Sequence, residues 1–257
     1  MATTIPTKVQ TRLTTGLKKF QSIVSTARAK DINESDTVVI VTDMLSYLFG
    51  YDKYTEITSE QAVKKTFCDL AIRIDGKIRF IIEVKSAGLD LKEDHIRQAV
   101  DYGSNAGVDW VILTNSSSWK VFKIIFSKPV SHELVYEFDF TQLNGKKESD
   151  LELLYYVCKE SLGKSLLADF HLQKQTFSKF IIGQLILSEP VVDSIRKTMK
   201  KLYPEVKVTN EEISCLILNE VLKREVIDGE KAEEARKKVN KAFKTLEKET
   251  SSKIENA

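Results

Sequence analysis

Residues 66–85 read TFCDLAIRIDGKIRFIIEVK, and this stretch decides which fold the chain can adopt. Two β-type runs, 66–74 and 78–85, stand on either side of Asp75-Gly76-Lys77. An Asp-Gly pair between two such runs is a strong signal for a β-hairpin. We therefore predict two antiparallel neighbouring strands at this point.

Apolar and polar residues alternate along both runs, and this alternation predicts the register of the hairpin. Successive side chains of a strand point to opposite faces, so both apolar sets should face one core. A two-residue loop would pair Ile74 with Lys77 and turn one apolar set to solvent, whereas a three-residue loop (75–77) or a bulge keeps the sets together. Gly76 suits the positive φ of a bulge. The even-numbered apolar set is Cys68, Leu70, Ile72, Ile74, Ile78, Phe80, Ile82 and Val84.

Three polar residues of the hairpin, Asp69, Glu83 and Lys85, should then project from one face. With a loop of 75–77, Asp69 lies opposite Glu83 at roughly 5 Å between Cβ atoms. Two carboxylates this close repel each other unless a cation such as Mg²⁺ compensates. Lys85 could activate water or stabilise charge on phosphorus, which predicts phosphodiester hydrolysis. The alternative is an ordinary solvated face, but the apolar run around Glu83 indicates a buried central strand.

The elements around the hairpin follow the order α-α-β-β-α-β-β(-β), which predicts a mixed β-sheet flanked by helices. Residue 35 or 36 is the expected cap of the second helix. We predict a nuclease-like domain over 1–147 with its core at about 34–140, and an all-helical region over 148–257 that frays after residue 249. The predicted helices are 7–30, 34–49, 92–104, 149–163, 175–187, 190–203, 210–223 and 230–248, and the further strands are 109–114, 119–126 and 133–138.

Composition limits the class of protein to which the chain can belong. The 257 residues are 42% hydrophobic and carry a net charge of +2, which suits a packed core and makes any DNA-binding surface local. The absence of a signal-like or membrane-spanning run predicts a cytoplasmic protein without membrane contact. Three widely spaced cysteines, Cys68, Cys158 and Cys215, are expected to be buried reduced thiols.

Several motifs occur in order between about residues 34 and 125. They are Leu48-Phe49-Gly50-Tyr51-Asp52, Cys68-Asp69-Leu70, Ile82-Glu83-Val84-Lys85, the pair Gln98 and Tyr102, and the stretch WVILTNSSSW at 110–119. Together they resemble the N-terminal nuclease domain of type I restriction enzyme R subunits, a branch of the PD-(D/E)xK superfamily. The matching family features are an LGYD helix end, an aspartate, an EVK core, a QxxxY motif and a TNG turn.

The resemblance implies a restriction-endonuclease-like α/β fold and DNA cleavage that depends on Mg²⁺, for which Mn²⁺ can substitute. It implies that Asp69, Glu83 and the Val84 carbonyl bind the metal and that Lys85 is catalytic. Gln98 would contact the substrate backbone or orient a catalytic group. Tyr102 and one acidic residue of the preceding helix, Asp36 or Glu34, are possible accessory residues. Two departures are Cys68 in place of the superfamily's proline and Ser116 in place of the TNG glycine.

The C-terminal region holds basic residues that could follow a DNA backbone, although solvated helix faces explain them equally well. Apolar positions there would suffice for a small helical core or a homodimer contact. Gly163-Lys164-Ser165 imitates a phosphate loop, but the preceding residues indicate helix, so we expect no ATP site. We expect a nuclease domain that acts without an ATPase motor of its own. The basic residues are Arg196, Lys197, Lys200 and Lys201.

The sequence leaves three functions open. The first is a metal-dependent DNA endonuclease or exonuclease of a restriction, defence or repair system. The second is a catalytically silent member of the same fold that binds nucleic acid or protein, and the third is an adaptor whose working part is the helical half. The intact set of Asp69, Glu83 and Lys85 favours the enzyme, because a binding module has no need of two facing carboxylates and a lysine.

Overall fold

A six-stranded mixed sheet forms the centre of the first of two compact units. The computed structural model describes residues 4–63 and 66–255, and the chain divides into units 1–169 and 170–257. The strands lie in the sheet in chain order, and each neighbouring pair is antiparallel except β3 and β4. This confirms the predicted mixed α/β sheet. The strands are β1 Ile57–Val63, β2 Thr66–Ile74, β3 Lys77–Val84, β4 Trp110–Thr114, β5 Ser118–Ile125 and β6 Ser131–Asp139.

A bulge in the hairpin of β2 and β3 pairs even-numbered residues of one strand with even-numbered residues of the other. The turn of the hairpin has two residues, since Ile74 pairs with Lys77, so the three-residue loop of 75–77 was wrong, and the alternative prediction of a bulge is confirmed, although the bulge does not lie at Gly76. Asp75 and Gly76 take φ values of 50° and 74°, as a tight hairpin turn requires. Arg79 is then the extra residue of a bulge, because Arg73 pairs with Ile78 while Ile72 pairs with Phe80.

Beyond the bulge, β3 has buried apolar residues on both of its faces. Phe80, Ile82 and Val84 are buried, as the even-numbered pattern predicts, but Ile81 is buried as well. Ile81 joins a cluster beneath the helix that follows β3, and Cys68 belongs to this cluster rather than to the even-numbered face predicted for it. β3 is therefore a central strand with apolar contacts on both faces.

β1 is an edge strand that the sequence did not predict. Its residues, ITSEQAV, are mostly polar, and the expected change to β structure was placed after residue 65. β1 pairs antiparallel with β2, with Ile57 opposite Ile72. An edge strand needs few apolar residues, so its pattern is weak.

A helical crossover makes β3 and β4 parallel. A 3₁₀ turn, Glu93–Ile96, leads into α3, Arg97–Ala106, which ends at Gly107 with a φ of 66°. Gly103 lets α3 approach the sheet, because a Cβ there would lie 2.5 Å from Ile124 Cδ1. This crossover sets the end of β3 beside the end of β4.

Two N-terminal helices belong to the same unit, α1 (Thr7–Ala29) and α2 (Glu34–Tyr47). The cap of α2 is Asn33, whose Oδ1 accepts from the Asp36 amide at 2.9 Å, and neither predicted residue serves. The apolar side of α1 is buried at the predicted 3.6-residue spacing. Gly50, with a φ of 85°, follows α2 as expected.

The first unit extends beyond the boundary that the sequence suggested after residue 147. Helices α4 (Glu148–Tyr155) and α5 (Lys159–Leu162) lie within it, and Leu151, Leu154 and Tyr155 are almost fully buried. Arg12 of α1 makes a two-pronged ion pair with Glu160, each N–O distance being 2.7 Å. These contacts hold α4 and α5 in the sheet-containing unit.

The second unit is helical, as predicted. Its last helix continues to Glu255, past the expected fraying point at residue 249, because no glycine or proline interrupts it. Cys215 is exposed, in contrast to the prediction that all three cysteines are buried. None of the described helices is both long and apolar enough to span a membrane. Helix α6 (Leu166–Thr176) crosses the division, and the following helices are α7 Lys179–Ile186, α8 Glu189–Leu202, α9 Asn210–Leu216, a π turn Ile217–Val221, α10 Arg224–Ile227 and α11 Glu230–Glu255.

Candidate active site

The candidate site lies where β2 and β3 separate. Leu70 pairs with Ile82, so one further step of this register sets Asp69 opposite Glu83. At this step the Val84 amide donates to Asp69 Oδ2 at 2.7 Å. The Asp69 side chain thus accepts from β3 in place of a backbone carbonyl of the neighbouring strand. Lys85 Nζ donates to Glu83 Oε1 at 2.7 Å. The three residues predicted from the alternation therefore lie together.

Glu83 is the most deeply buried charged member of this group. It is 4% exposed, and its Oε2 atom has no hydrogen-bond partner among the described residues. An unpaired buried carboxylate oxygen is costly in free energy, so it marks a place where a further group could bind. The Lys85 side chain is 17% exposed, which leaves it accessible from solvent while it touches Glu83.

Burial and mutual repulsion change the protonation of both carboxyl groups. Desolvation, supported by the nearby charge of Asp69, raises the pKa of Glu83 to about 7, although the Lys85 hydrogen bond opposes this. Desolvation also raises the pKa of Asp69. Burial alone would lower the pKa of Lys85, but the bond to Glu83 and the surrounding carboxylates raise it. The site therefore places two carboxyl groups with raised pKa values beside a single lysine.

The structure distinguishes the two acidic residues that α2 could contribute. Glu34 Oε2 lies 3.4 Å from Lys85 Nζ, which brings the first residue of α2 to the edge of the site. Asp36 instead accepts from Asn33 Nδ2 at 3.0 Å and belongs to the cap of the helix. Of the two, Glu34 has the geometry of an accessory residue.

A divalent cation fits the chemistry of these groups. Glu83 Oε2 has no hydrogen-bond partner among the described residues, and Asp69 carries Oδ1 beside the Oδ2 atom that accepts from the Val84 amide. Both Glu83 Oε2 and Asp69 Oδ1 are hard oxygen atoms of the kind that Mg²⁺ binds. No group of three or more His, Cys, Asp or Glu among the described residues could hold a metal ion. Mg²⁺ commonly takes only one or two carboxylates and keeps several waters, so a pair of carboxylates suffices. The Val84 carbonyl remains a predicted third protein ligand.

Gln98 and Tyr102 of α3 lie in different surroundings. Gln98 is exposed in the first turn of α3, and Tyr102 is fully buried in the cluster beneath the helix. Burial, with Cys68 nearby, raises the pKa of Tyr102 to about 12. Tyr102 therefore has the position of a core residue, and only Gln98 is open to a substrate.

The four basic residues predicted to contact DNA lie on α8, in the second unit. Arg196 Nη2 and Lys197 Nζ both bind Asp193, at 2.6 and 2.7 Å. Lys200 and Lys201 are exposed in the last turn. Arg196 and Lys197 therefore share the single negative charge of Asp193, which leaves a less basic surface than the sequence suggested.

The turn between β4 and β5 contains a feature that the motif alone did not reveal. Ser116, which replaces the family's glycine, has a φ of 72°, so the turn keeps the backbone conformation that glycine favours. Asn115 donates through Nδ2 to the Leu89 carbonyl at 2.8 Å, in the segment that follows Lys85. Sequence alone could not show this link, because the two residues are far apart in the chain.

Residues 41–138 match the family model described as Type I restriction enzyme R protein N terminus. This match confirms the resemblance predicted from the ordered motifs, and it covers Asp69, Glu83, Lys85 and Gln98. No curated protein matches the chain, and no solved structure does.

Proposed function

From residues 41–138, which match the N-terminal family of type I restriction enzyme R proteins, we propose that the chain is a nuclease that hydrolyses DNA phosphodiester bonds with Mg²⁺. The supporting observation is that Asp69, Glu83 and Lys85 lie together where one buried oxygen of Glu83 has no hydrogen-bond partner among the described residues. The family match supports the restriction-related class, and the arrangement of these three residues supports metal-assisted hydrolysis.

Each residue of the site has a role in this proposal. Asp69 and Glu83, with the Val84 carbonyl, would hold Mg²⁺, and the Val84 amide keeps the Asp69 carboxylate in place. Bound Mg²⁺ would supply a Lewis acid that neutralises phosphate charge and favours a nucleophilic water. Lys85, released from Glu83, would stabilise the negative charge that develops on the phosphoryl oxygens. Gln98 would contact the substrate backbone from the first turn of α3.

Glu34 has a supporting role in the proposal. Its carboxylate lies within ion-pair distance of Lys85, at 3.4 Å from Nζ. If Glu83 bound a cation in place of Lys85, Glu34 would hold the ammonium group of Lys85 at the site. The lysine then keeps its charge and its position near the scissile phosphate.

A cleavage assay on covalently closed plasmid tests the proposal. We expect nicking with Mg²⁺ or Mn²⁺ that stops with EDTA, and a loss of at least about 100-fold for Asp69→Asn and Lys85→Met. A matched control is the exposed ion pair of Lys53 and Asp43 elsewhere in the first unit, at 2.7 Å. Asp43→Asn and Lys53→Met should cleave like the wild type.

The assay also separates the other outcomes. A closed circle offers no end, so nicking indicates an endonuclease, and cleavage of linear DNA alone would indicate an exonuclease. DNA binding without cleavage under every metal condition would contradict the proposal and favour a silent binding member of the fold.

A further inference from the structure

Asn115 connects two parts of the first unit through all the polar atoms of its side chain. The residue is 5% exposed, in the turn between β4 and β5. Its Oδ1 accepts from the amides of Ser117 and Ser118, at 3.1 and 2.7 Å. Its Nδ2 donates to the Leu89 carbonyl at 2.8 Å. The oxygen thus shapes its own turn, and the nitrogen holds a distant segment.

That segment, residues 86–92, joins the candidate site to α3. It begins directly after Lys85 and ends at the 3₁₀ turn that leads to Gln98. Contacts fix its course at both sides of Leu89. The Ala87 amide donates to the Ile32 carbonyl at 3.2 Å, and Lys120 Nζ donates to the Leu91 carbonyl at 3.2 Å. The segment is irregular, so these isolated backbone and side-chain contacts take the place of a regular hydrogen-bond ladder.

We propose that Asn115 is a positioning residue of the nuclease site, acting through segment 86–92 on Lys85 and on the first turn of α3. The inference rests on the proposed function, because it assigns Asn115 a part in that reaction. Asn115 binds the middle of the segment and reaches neither Asp69 nor Glu83. It keeps the distance between the lysine and the helix that carries Gln98 constant. Small errors in such a distance are costly for rate, because the reacting groups must stay aligned.

Asn115→Asp separates the two tasks of the side chain. An aspartate still accepts from the Ser117 and Ser118 amides, so the turn is kept, but it cannot donate to the Leu89 carbonyl. Ser117→Ala is the matched control. It removes a bond from the same turn to the end of β6, from Ser117 Oγ to Asp139 Oδ1 at 3.2 Å, and leaves the Leu89 contact intact. Lys120→Met is a second variant, since it releases the Leu91 carbonyl without adding a charge beside the turn.

Hydrogen exchange and steady-state cleavage on the full chain provide the test. In Asn115→Asp we expect the amides of Ala87 and Leu89 to exchange about tenfold faster and kcat to fall about tenfold, with KM and Tm little changed. Lys120→Met should change both quantities in the same direction, and Ser117→Ala should change neither. Unchanged exchange in Asn115→Asp and Lys120→Met, or faster exchange with an unaltered kcat, would overturn the proposal.

The two readouts also separate this inference from the proposed function. If the wild-type protein does not cleave DNA, the proposed function fails, and the role of Asn115 in the reaction fails with it. If the wild type cleaves and Asn115→Asp cleaves equally well, only the positioning role fails. Faster exchange together with slower cleavage supports both.

Discussion

At the scale of single residues, the candidate site combines charge with burial in a way that pH should reveal. Glu83 keeps its proton to about pH 7 in the folded protein, against an ordinary pKa of 4.5. Between these two values the folded state binds more protons than the unfolded state. The stability that Glu83 contributes is therefore complete below pH 4.5 and is lost as the pH rises through 7.

We predict that the free energy of unfolding of the metal-free protein falls by up to about 3 kcal/mol over this range because of Glu83. Glu83→Gln should remove this part of the pH dependence, and urea unfolding at pH 5 and pH 8 measures it. Asp43→Asn, at an exposed carboxylate, serves as the control. Equal pH dependence in the wild type and Glu83→Gln would contradict the prediction.

A second prediction concerns Ser116. Its φ of 72° is unfavourable for a residue with a Cβ, and its buried Oγ has no partner among the described residues. Ser116→Gly should raise the free energy of unfolding by about 1 kcal/mol, measured as a higher Tm. The contrasting variant is Ser118→Gly in β5, which should lower Tm because glycine weakens a strand. A Ser116→Gly variant that melts below the wild type would show that the hydroxyl is needed.

The sequence predicted the central residues of the site because their parity places them on one face without reference to contacts. Asp69, Glu83 and Lys85 are local to one hairpin, so alternation was sufficient. The choice between Glu34 and Asp36 required the contacts of the folded protein, since both residues precede the first buried position of α2. The Asn115 contact, likewise, depends on how two distant loops fold against each other.

At the scale of elements, the bulge in β3 explains how a hairpin with a two-residue turn still pairs even-numbered residues with each other beyond the turn. The turn pairs Ile74 with Lys77, and the extra residue Arg79 corrects the register before Phe80. The hydrophobic pattern therefore predicted the shared face and left a longer loop or a bulge as the means, but it did not predict that the bulge lies at Arg79. β1 escaped prediction for a related reason, since an edge strand is defined more by its neighbour than by its own composition.

Two single-residue deletions test the register. Deleting Arg79 should be tolerated, because the pairs on either side of the bulge can continue as a regular ladder. Deleting Ile81 should send Glu83 to the opposite face and abolish both the Lys85 contact and any metal binding. Thermal melting and Mn²⁺ binding measure the two effects. Loss of Mn²⁺ binding on deletion of Arg79, with Tm retained, would argue against the bulge as the corrective element.

At the scale of the whole molecule, the first unit ends later than composition suggested. The change from strands to helices near residue 147 is a change of secondary structure, and α4 and α5 still pack into the sheet-containing unit. Composition could not reveal this, because a helix buried in a mixed unit has the same local pattern as a helix in an all-helical one. The second unit is helical as predicted, but its basic surface is partly neutralised by Asp193.

We predict that a fragment of residues 1–169 folds cooperatively, whereas a fragment of residues 1–147 does not. The shorter fragment loses Leu151, Leu154 and Tyr155, each contributing about 1.5–3 kcal/mol by burial, and leaves Arg12 without Glu160. This loss is comparable with the whole stability of a typical domain. Thermal melting followed by circular dichroism distinguishes the fragments. Equal melting temperatures would show that α4 and α5 are dispensable.

The order of strands in the sheet has a consequence for how the chain acquires its structure during synthesis. Each strand pairs with its neighbour in the chain, so β1 to β6 can add to the sheet one after another as the ribosome releases them. Such short-range pairing favours rapid folding. The ion pair of Arg12 and Glu160 spans 148 positions and cannot form until the helices after the sheet emerge. A nascent chain would therefore assemble the hairpin of Asp69 and Glu83 early and close the unit around α1 last.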